Sequence, residues 1–243
     1  MITINEVSKS YGKQLVLDQI NLEFPAGQSV ALIGPNGSGK TTLIKLILSL
    51  AKADQGGITV NDKDVSEGGS YRKEIGYMPQ MTRFPENMRV GQLFKLMQDI
   101  RPDIPENAYD LELYEAFDIR KMEPKMLHAL SGGMKQKVSA ALAFLFDPDI
   151  LILDEPTAAL DPVSNETLKS KIRHAYESKK LVIITSHILS DLDEIVNQVV
   201  YLIEGQIAFH KSLDQLRQET AETRLNKIIV TLLHKMNHHV ENH

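Results

Sequence analysis

The stretch GPNGSGKTT, residues 34–42, constrains this chain more than any other part of it. It lies between an apolar run, SVALIG, and a helical pattern, TTLIKLILSL. A glycine-rich loop between a buried strand and a helix is the setting in which this pattern binds phosphate. The glycines let backbone N–H groups turn toward an anion at the positive end of the helix. Lys40 would neutralise phosphate charge, and the Thr41 hydroxyl would ligate Mg²⁺. The sequence therefore predicts a nucleotide site rather than a plain glycine-rich turn.

Two further apolar runs end in residues suited to phosphate chemistry. The run ILILDEP (150–156) ends in adjacent acids, which a buried strand would deliver to the carboxyl edge of the sheet, beside the glycine-rich loop. We expect Asp154 to hold Mg²⁺ through water and Glu155 to orient or deprotonate the attacking water. His187 ends the run LVIITSH in the same way, and its position predicts contact with a γ-phosphate, although a lone histidine is more often structural.

The distribution of apolar residues predicts an α/β fold in a single domain over residues 1–243. Alternation in ITINEV and VLDQINLEF indicates an N-terminal antiparallel β subdomain, and the three continuous apolar runs indicate a mainly parallel sheet core. Helical periodicity in VGQLFKLMQDI, NAYDLELYEAF and GGMKQKVSAALAFLF predicts a helical subdomain inserted at 82–146. After a hairpin that turns at Glu204-Gly205, residues 213–243 are expected to form C-terminal helices and a tail.

A second candidate anion site lies in LSGGMKQK, residues 130–137. Ser131 can cap the following helix, and Gly132 and Gly133 would let a large anion approach the helix N-terminus. The chain has one P-loop, about 90 residues earlier and outside the predicted insertion. The second cradle is therefore expected to serve the nucleotide of another molecule.

Taken in order, these motifs resemble those of the ATP-binding subunit of ABC transporters, and the likeness covers nearly the whole chain. P-loop kinases and small GTPases lack the later motifs of this series. The motifs are Tyr11 at the position of an adenine-stacking aromatic, GPNGSGKTT, Gln80 in GYMPQ, LSGG, ILILDEP, AALD ending at Asp161, and His187 in TSH.

The resemblance implies a P-loop NTPase fold of the ABC ATPase type that binds ATP and Mg²⁺ and hydrolyses ATP. The nucleotide ligands it implies are Tyr11, Gly34, Asn36, Gly37, Ser38, Gly39, Lys40, Thr41, Thr42, Ser131, Gly132, Gly133 and Asp161. The implied Mg²⁺ ligands are Thr41, Gln80 and Asp154, and the implied catalytic residues are Glu155, His187, Lys40 and Gln80. An alternative for Tyr11 is that its ring packs over the turn at Gly12.

The implied partners are a second copy of the chain, packed head to tail around two ATP molecules, and a separate integral membrane permease. Gln80 would sense Mg²⁺ and γ-phosphate and relay closure to the permease. The chain departs from the common signature at Met134, where glutamine is usual, and at Lys137, where arginine is usual. We expect activity to survive, because Ser131 and the two glycines would carry the phosphate contact. A methionine at position 134 resembles the signature of the exporter-type branch of the family.

Composition excludes some classes of function. A net charge of -5 gives no basic footprint for nucleic acid, and the absence of cysteine rules out disulfides and thiolate metal sites. The N-terminal residues do not have the pattern of a signal peptide, and no apolar run approaches a membrane span. We expect a cytoplasmic protein, peripheral on the inner face of the cell membrane. The alternative is a soluble ABC ATPase that drives cytoplasmic assembly, for example of Fe-S clusters, without a permease.

The cargo is encoded only indirectly. Residues 76–101 are similar to the corresponding stretch of the NosF-like ATPase of the transporter that matures nitrous-oxide reductase, which would imply copper-site maturation and a periplasmic accessory protein. Seven of the nine methionines lie from Met78 to Met134, where they suit a moving helical surface better than Cu(I) binding. The tail carries His234, His238, His239 and His243. We expect this tail to be solvated, and we do not predict a copper site there.

Overall fold

The computed structural model describes residues 1–81 and 83–240, and the side chains of residues 1–81 and 83–235. Strands and helices alternate through most of the chain. The strands are β1 Ile2–Tyr11, β2 Gln14–Phe24, β3 Ser29–Ile33, β4 Gln55–Val60, β5 Lys63–Asp64, β6 Ile75–Met78, β7 Ile150–Asp154, β8 Leu181–Thr185, β9 Gln198–Ile203 and β10 Gln206–Ser212. The α-helices are α1 Lys40–Ile47, α2 Val90–Ile100, α3 Glu112–Ala116, α4 Ile119–Met122, α5 Gly132–Phe144, α6 Pro162–Glu177, α7 Leu213–Thr220 and α8 Leu225–Val240.

A six-stranded sheet in the order β10-β9-β3-β8-β7-β6 forms the centre of the molecule. Its strands are parallel except for β10, which pairs antiparallel with β9. Every residue of β3, β7 and β8 is buried, as expected for parallel strands covered on both faces. Because β3, β7 and β8 are parallel, the residues that follow each of them meet at one edge of the sheet.

The N-terminal strands form a separate antiparallel sheet in the order β2-β1-β4-β5. Its apolar residues pack against the face of the central sheet that carries α1, in one cluster that includes Ile4, Phe24 and Ile44. The predicted antiparallel strands are therefore present. The same sheet also contains β4 and β5, which the alternation of apolar residues did not predict.

One strand of the central sheet, β6, was also not predicted. It has four residues, IGYM, and lies at the sheet edge beside β7. A Cβ on Gly76 would lie 2.0 Å from the carbonyl oxygen of Ala143, so α5 packs directly on this strand. The strand depends on that close approach, which its short sequence does not reveal.

Helices α2 to α5 lie between β6 and β7, inside the predicted insertion at 82–146, whose limits as a subdomain remain a prediction. The helical periodicity of NAYDLELYEAF corresponds to two short elements, a 3-10 turn at Glu106–Ala108 and the helix α3. The break occurs at Asp110. Its backbone N–H donates to the carbonyl of Leu145, and its carboxylate accepts from the N–H of Glu112, so neither group is free to continue a helix.

An ion-pair cluster joins this helical segment to α6. Lys171 Nζ on α6 lies 2.5 Å from a carboxylate oxygen of Asp110 and 2.7 Å from one of Glu112. Burial lowers the pKa of Lys171, but the two carboxylates outweigh it and raise the pKa overall. The lysine therefore stays charged and holds the helical segment against α6.

The C-terminal part begins with the predicted hairpin, in which β9 and β10 turn at Glu204-Gly205, both with positive φ. Helices α7 and α8 follow, and Leu216 and Ile228 join the main core. No helix in the described part of the chain is long and apolar enough to cross a lipid bilayer. His234 is exposed, whereas the His238 and His239 side chains and the whole of His243 lie outside the described residues.

Candidate nucleotide-binding and catalytic site

The loop between β3 and α1 is shaped by two glycines that no other residue could replace. Gly34 has φ +152°, and a Cβ there would lie 1.9 Å from the carbonyl oxygen of Leu202 on β9. Gly39 has φ +110°, and a Cβ there would lie 2.6 Å from a methyl group of Leu17. The loop is therefore pressed against two neighbouring strands, which fixes the path of its backbone N–H groups ahead of the α1 N-terminus.

Two side chains of this loop are arranged for an anion. The Oγ atom of Ser38 is buried and has no hydrogen-bond partner among the residues that the structure describes. Lys40 Nζ donates to the carbonyl oxygens of Gly34 at 2.8 Å and Pro35 at 2.9 Å, so its ammonium group lies across the loop. Burial lowers the pKa of Lys40, and Glu155 and Asp154 partly offset that effect. A phosphate would supply this partly buried cation with a closer negative charge.

The two acids at the end of β7 share one anchor, Thr185 at the end of β8. The Thr185 hydroxyl donates to Asp154 Oδ1 and accepts from the N–H of Glu155 at 3.1 Å. All three residues are buried. Thr185 was not predicted to be a site residue, although it is the first polar residue after the apolar run LVII.

Glu155 is held by the segment that follows β8. Its Oε2 accepts from the backbone N–H of His187 at 3.1 Å, and its Oε1 lies 3.3 Å from the ring Nε2 of the same residue. The carboxylate is 10% exposed, whereas the His187 side chain is 52% exposed. The structure therefore shows a direct contact between the carboxylate and His187, in addition to the γ-phosphate contact that the sequence predicts.

These groups meet in one cavity of about 290 Å³ at the carboxyl edge of the sheet. Ten of the predicted site residues line it, together with Val16 of β2. They are Asn36, Gly37, Gly39, Lys40, Thr41, Thr42, Gln80, Asp154, Glu155 and His187. Gly34 and Ser38 belong to the same loop but do not line the cavity.

The predicted second cradle lies outside this cavity. Ser131 caps α5, with its Oγ accepting from the N–H of Met134 at 3.3 Å. A Cβ on Gly132 would come no closer than 4.0 Å to another residue, whereas one on Gly133 would lie 2.7 Å from the carbonyl oxygen of Ala159. Gly132 is therefore open to an approaching group, and Gly133 is required for packing within the chain itself.

Asp161 and Tyr11 also lie away from the cavity. Asp161 caps α6 by accepting from the N–H of Ser164 at 2.9 Å, and it pairs with Lys137 Nζ at 2.8 Å. The hydrogen bond from Lys137, together with those from Ser164, holds the pKa of Asp161 well below its usual range. Tyr11 is 49% exposed at the β1–β2 turn, and Lys9 Nζ lies 5.4 Å from its ring centroid. Roles for these two residues in nucleotide binding remain predictions.

The residues of the cavity fit a nucleotide with Mg²⁺. The orphaned Ser38 hydroxyl and the glycine-shaped loop provide a cradle for phosphate oxygens. Thr41, Gln80 and Asp154 offer hydroxyl, amide and carboxylate oxygens, the donors that Mg²⁺ prefers. Within the described residues no group of three or more His, Asp or Glu side chains is arranged to hold a metal ion by itself, and Mg²⁺ on a nucleotide needs none, since phosphates complete its coordination.

A parallel sheet with a phosphate-binding loop after one strand and acids at the end of another strand, separated from the first by β8, defines the class of P-loop nucleotide-binding proteins. Comparison with known proteins narrows the class. The family model described as ABC transporter matches residues 17–158, more than half of the chain. The chain therefore belongs to the ABC transporter family, as an ATP-binding domain.

Curated relatives include proteins of opposite transport direction. The sulfate/thiosulfate import ATP-binding protein CysA of Escherichia coli strain K12 is 34% identical over 90% of this chain and 62% of its own length. The Nod factor export ATP-binding protein I of Sinorhizobium fredii is 32% identical over 84% of this chain and 61% of its own. The ABC transporter ATP-binding protein YtrB of Bacillus subtilis is 30% identical over 90% of this chain and 74% of its own. This chain thus spans less than two thirds of the length of the first two.

Solved structures share the fold. An ATP binding subunit of an ABC transporter superimposes with a TM-score of 0.88 at 27% identity, covering 96% of this chain and 99% of its own. A dimeric post-hydrolysis structure of the ATP-binding cassette MJ0796 with ADP and Pi superimposes with a TM-score of 0.76 at 23% identity, covering 87% and 98%. The predicted ABC-type ATPase fold is confirmed.

Proposed function

We propose that this chain binds ATP with Mg²⁺ in the cavity and hydrolyses the bond between the β- and γ-phosphates to drive a membrane permease. The observation that carries the proposal is the convergence of Lys40, Thr41, Asp154, Glu155 and His187 on one cavity beside the phosphate-binding loop. Gln80 reaches the same cavity from the segment after β6.

Each group has a role in the reaction. Loop N–H groups and Lys40 hold the phosphates, and Glu155 accepts a proton from the water whose oxygen attacks the γ-phosphorus as the bond to the β-phosphate oxygen breaks. His187 holds the Glu155 carboxylate through its backbone N–H and lies against it with its ring. The ring lines the cavity, where it would contact the γ-phosphate. Thr41, Gln80 and Asp154 would hold Mg²⁺, which would neutralise charge on the phosphate oxygens.

Substitution of the catalytic carboxylate tests this assignment. Glu155→Gln should bind ATP, lose most phosphate release and accumulate as an ATP-bound dimer in size-exclusion chromatography. Lys40→Ala should instead weaken ATP binding, measured by equilibrium titration. Glu166→Gln, on the exposed side of α6, is the matched control and should behave as wild type. Phosphate release from the Glu155→Gln variant at the wild-type rate would refute the role of Glu155.

The working unit in this proposal is a head-to-tail dimer. Ser131 and Gly132 are exposed and do not line the cavity of their own chain, so they are free to close over ATP bound by a second copy. Removal of the γ-phosphate by hydrolysis then weakens the contact between the copies, and the dimer reopens.

A groove beside the cavity is the proposed docking surface for the permease. It has a volume of about 610 Å³ and lies between the segments 69–79 and 83–85, helix α2 and helix α5. Its lining is largely apolar, including Phe84 and Met97, with Arg72, Lys73, Arg83 and Arg101 around it. This combination fits a short amphipathic cytoplasmic helix that carries acidic residues. Pro79 lines the groove and Gln80 lines the cavity, so adjacent residues connect the two sites.

A pull-down from detergent-solubilised native membranes separates the two candidate partners. Recovery of a polytopic permease with the tagged chain, lost in Phe84→Glu but kept in Leu50→Glu, would support the transporter function. Leu50 is 61% exposed and lies outside the groove, which makes it the matched control. Recovery of soluble proteins alone would refute it and favour the alternative, a soluble ATPase for an assembly such as that of Fe-S clusters.

The cargo stays open to a narrower proposal. The import and export relatives described above match this chain at 34% and 32% identity, so similarity at this level does not select a cargo or a direction. Maturation of the copper site of nitrous-oxide reductase, with a periplasmic accessory protein, therefore stays a prediction without support from these relatives. Recovery of nitrous-oxide reductase maturation proteins in the same pull-down would support it, and recovery of a permease with an unrelated extracytoplasmic partner would refute it.

A further inference from the structure

The loop that follows Glu155 sits on the first two turns of α5. Gln136 Nε2 donates to the carbonyl oxygens of Glu155 at 3.0 Å and Pro156 at 3.2 Å. Further along the loop, Gly133 packs against the carbonyl of Ala159, and Lys137 pairs with Asp161. Positions 133, 136 and 137 are three and four residues apart, so they share one face of the helix. The N-terminal end of α5 and the loop 155–161 thus form one packed unit.

The backbone of Glu155 needs such support. Its φ is +55°, a left-handed conformation that is strained for a residue with a side chain and persists only when neighbours hold it. Its N–H is held by the hydroxyl and carbonyl of Thr185, at 3.1 and 3.2 Å. Its carbonyl accepts from the amide of Gln136 and from the N–H of Ala158. Gln136 is the contact that comes from α5.

The Gln136 side chain is itself fixed. It is 6% exposed, and a buried amide that lost its acceptors would be costly, so its position follows that of the two carbonyls. A small shift of the α5 N-terminus therefore moves the carbonyl of Glu155, and through it the direction of the carboxylate.

We propose that Gln136 is a positioning residue that couples the segment Ser131–Gly133 to the Glu155 carboxylate of the same chain. The inference rests on the proposed function, in which that segment contacts the ATP of the partner copy. Binding at one site would then adjust the carboxylate that acts at the other site. Gln136 is buried and does not line the cavity, so its effect on catalysis would pass through the backbone of Glu155.

The first test separates turnover from ATP binding. Gln136→Met has a similar shape without the amide, and Gln136→Asn keeps an amide that is one methylene too short to reach both carbonyls. We expect each to lower kcat roughly tenfold, as loss of a supporting hydrogen bond commonly does, with little change in KM for ATP. Gln218→Met, the same substitution at an exposed position of α7, is the control and should keep the wild-type kcat.

The outcomes distinguish this inference from the proposed function. If the wild-type chain releases no phosphate from ATP, the proposed function fails. If the wild type is active and both Gln136 variants, folded by their thermal unfolding curves, keep the wild-type kcat, the positioning role is refuted. A fall in kcat for the variant that unfolds like the wild type supports it.

The second test measures the coupling itself in a mixed dimer. One copy carries Glu155→Gln, so that turnover reports only the other copy, which carries Ser131→Ala with or without Gln136→Met. Two affinity tags isolate the mixed dimer. If Gln136 transmits the state of its own segment, Ser131→Ala lowers turnover when Gln136 is present and has little further effect when Gln136→Met is present. An equal effect of Ser131→Ala in both backgrounds would refute the coupling.

Discussion

Thr185 offers the most direct test of how this site is held together. Its hydroxyl joins the two acids by donating to Asp154 and accepting from the N–H of Glu155. The substitution Thr185→Val keeps the shape of the side chain and removes both contacts. Its stability cost comes mainly from the Asp154 carboxylate, because the N–H of Glu155 retains the carbonyl oxygen of Thr185 at 3.2 Å.

The magnitude follows from these contacts. A hydrogen bond to a charged group contributes about 1.5–3 kcal/mol, and Thr185 and Asp154 are both buried, so we expect the free energy of unfolding to fall by about 2 kcal/mol. Urea unfolding followed by circular dichroism measures this fall. We also expect phosphate release to fall by roughly tenfold, because a supporting contact is lost from the two acids that we propose bind Mg²⁺ and activate water.

Thr185→Ser is the matched control, since it keeps the hydroxyl and loses a methyl group. It should cost about 1 kcal/mol and leave the midpoint of unfolding between those of the wild type and Thr185→Val. A Thr185→Val protein as stable as Thr185→Ser, with undiminished phosphate release, would show that the hydroxyl does not hold the acids in solution.

Three other substitutions test separate parts of the structure. Gly133→Ala should lower the free energy of unfolding in urea by about 1–3 kcal/mol, because its Cβ meets the carbonyl of Ala159. Gly132→Ala should leave that free energy nearly unchanged and weaken ATP-dependent dimerisation instead. Equal stability losses in the two variants would refute the distinction. Lys171→Met should cost about 1–3 kcal/mol and expose the helical segment to limited proteolysis first, because two carboxylates lose their cation; unchanged cleavage would contradict its role as a tether. Burial and then the Asp154 carboxylate raise the pKa of Tyr77 from 10.0 to about 12. The stability that comes from keeping Tyr77 protonated in the folded chain is therefore complete below pH 10 and is lost as the pH rises through 12. Between these pH values the free energy of unfolding should fall less for Tyr77→Phe than for the wild type, and an equal fall would refute the shift.

The parts of the fold that were predicted from sequence share a local signal. The fully buried strands β3, β7 and β8 are continuous apolar runs, and predicted site residues lie at or just after the end of each. Because parallel strands bring their carboxyl ends to one edge, the position of Lys40, Glu155 and His187 around one cavity follows from the sequence pattern alone.

The parts that were not predicted depend on contacts between distant residues. Strand β6 needs Gly76 beneath the carbonyl of Ala143, and the helix break at Asp110 needs the carbonyl of Leu145. From the sequence, Gln136 was predicted to be no more than an ordinary helical residue within LSGGMKQK. Its amide acquires a role only where α5 meets the loop after β7, about 20 residues further on.

The signature segment shows how one short motif can meet two requirements. Its second glycine, Gly133, packs against Ala159, which fixes the helix end to the loop that carries Glu155. A Cβ on its first glycine, Gly132, would lie 4.0 Å from the side chain of Ala159, so this side of the capped helix N-terminus stays accessible. A helix end that binds another molecule's phosphate must be open on one side, and one that reports that binding to its own chain must be rigid on the other. Adjacent glycines satisfy both conditions because each faces a different surface, so the requirement for glycine at Gly133 would persist even without a nucleotide.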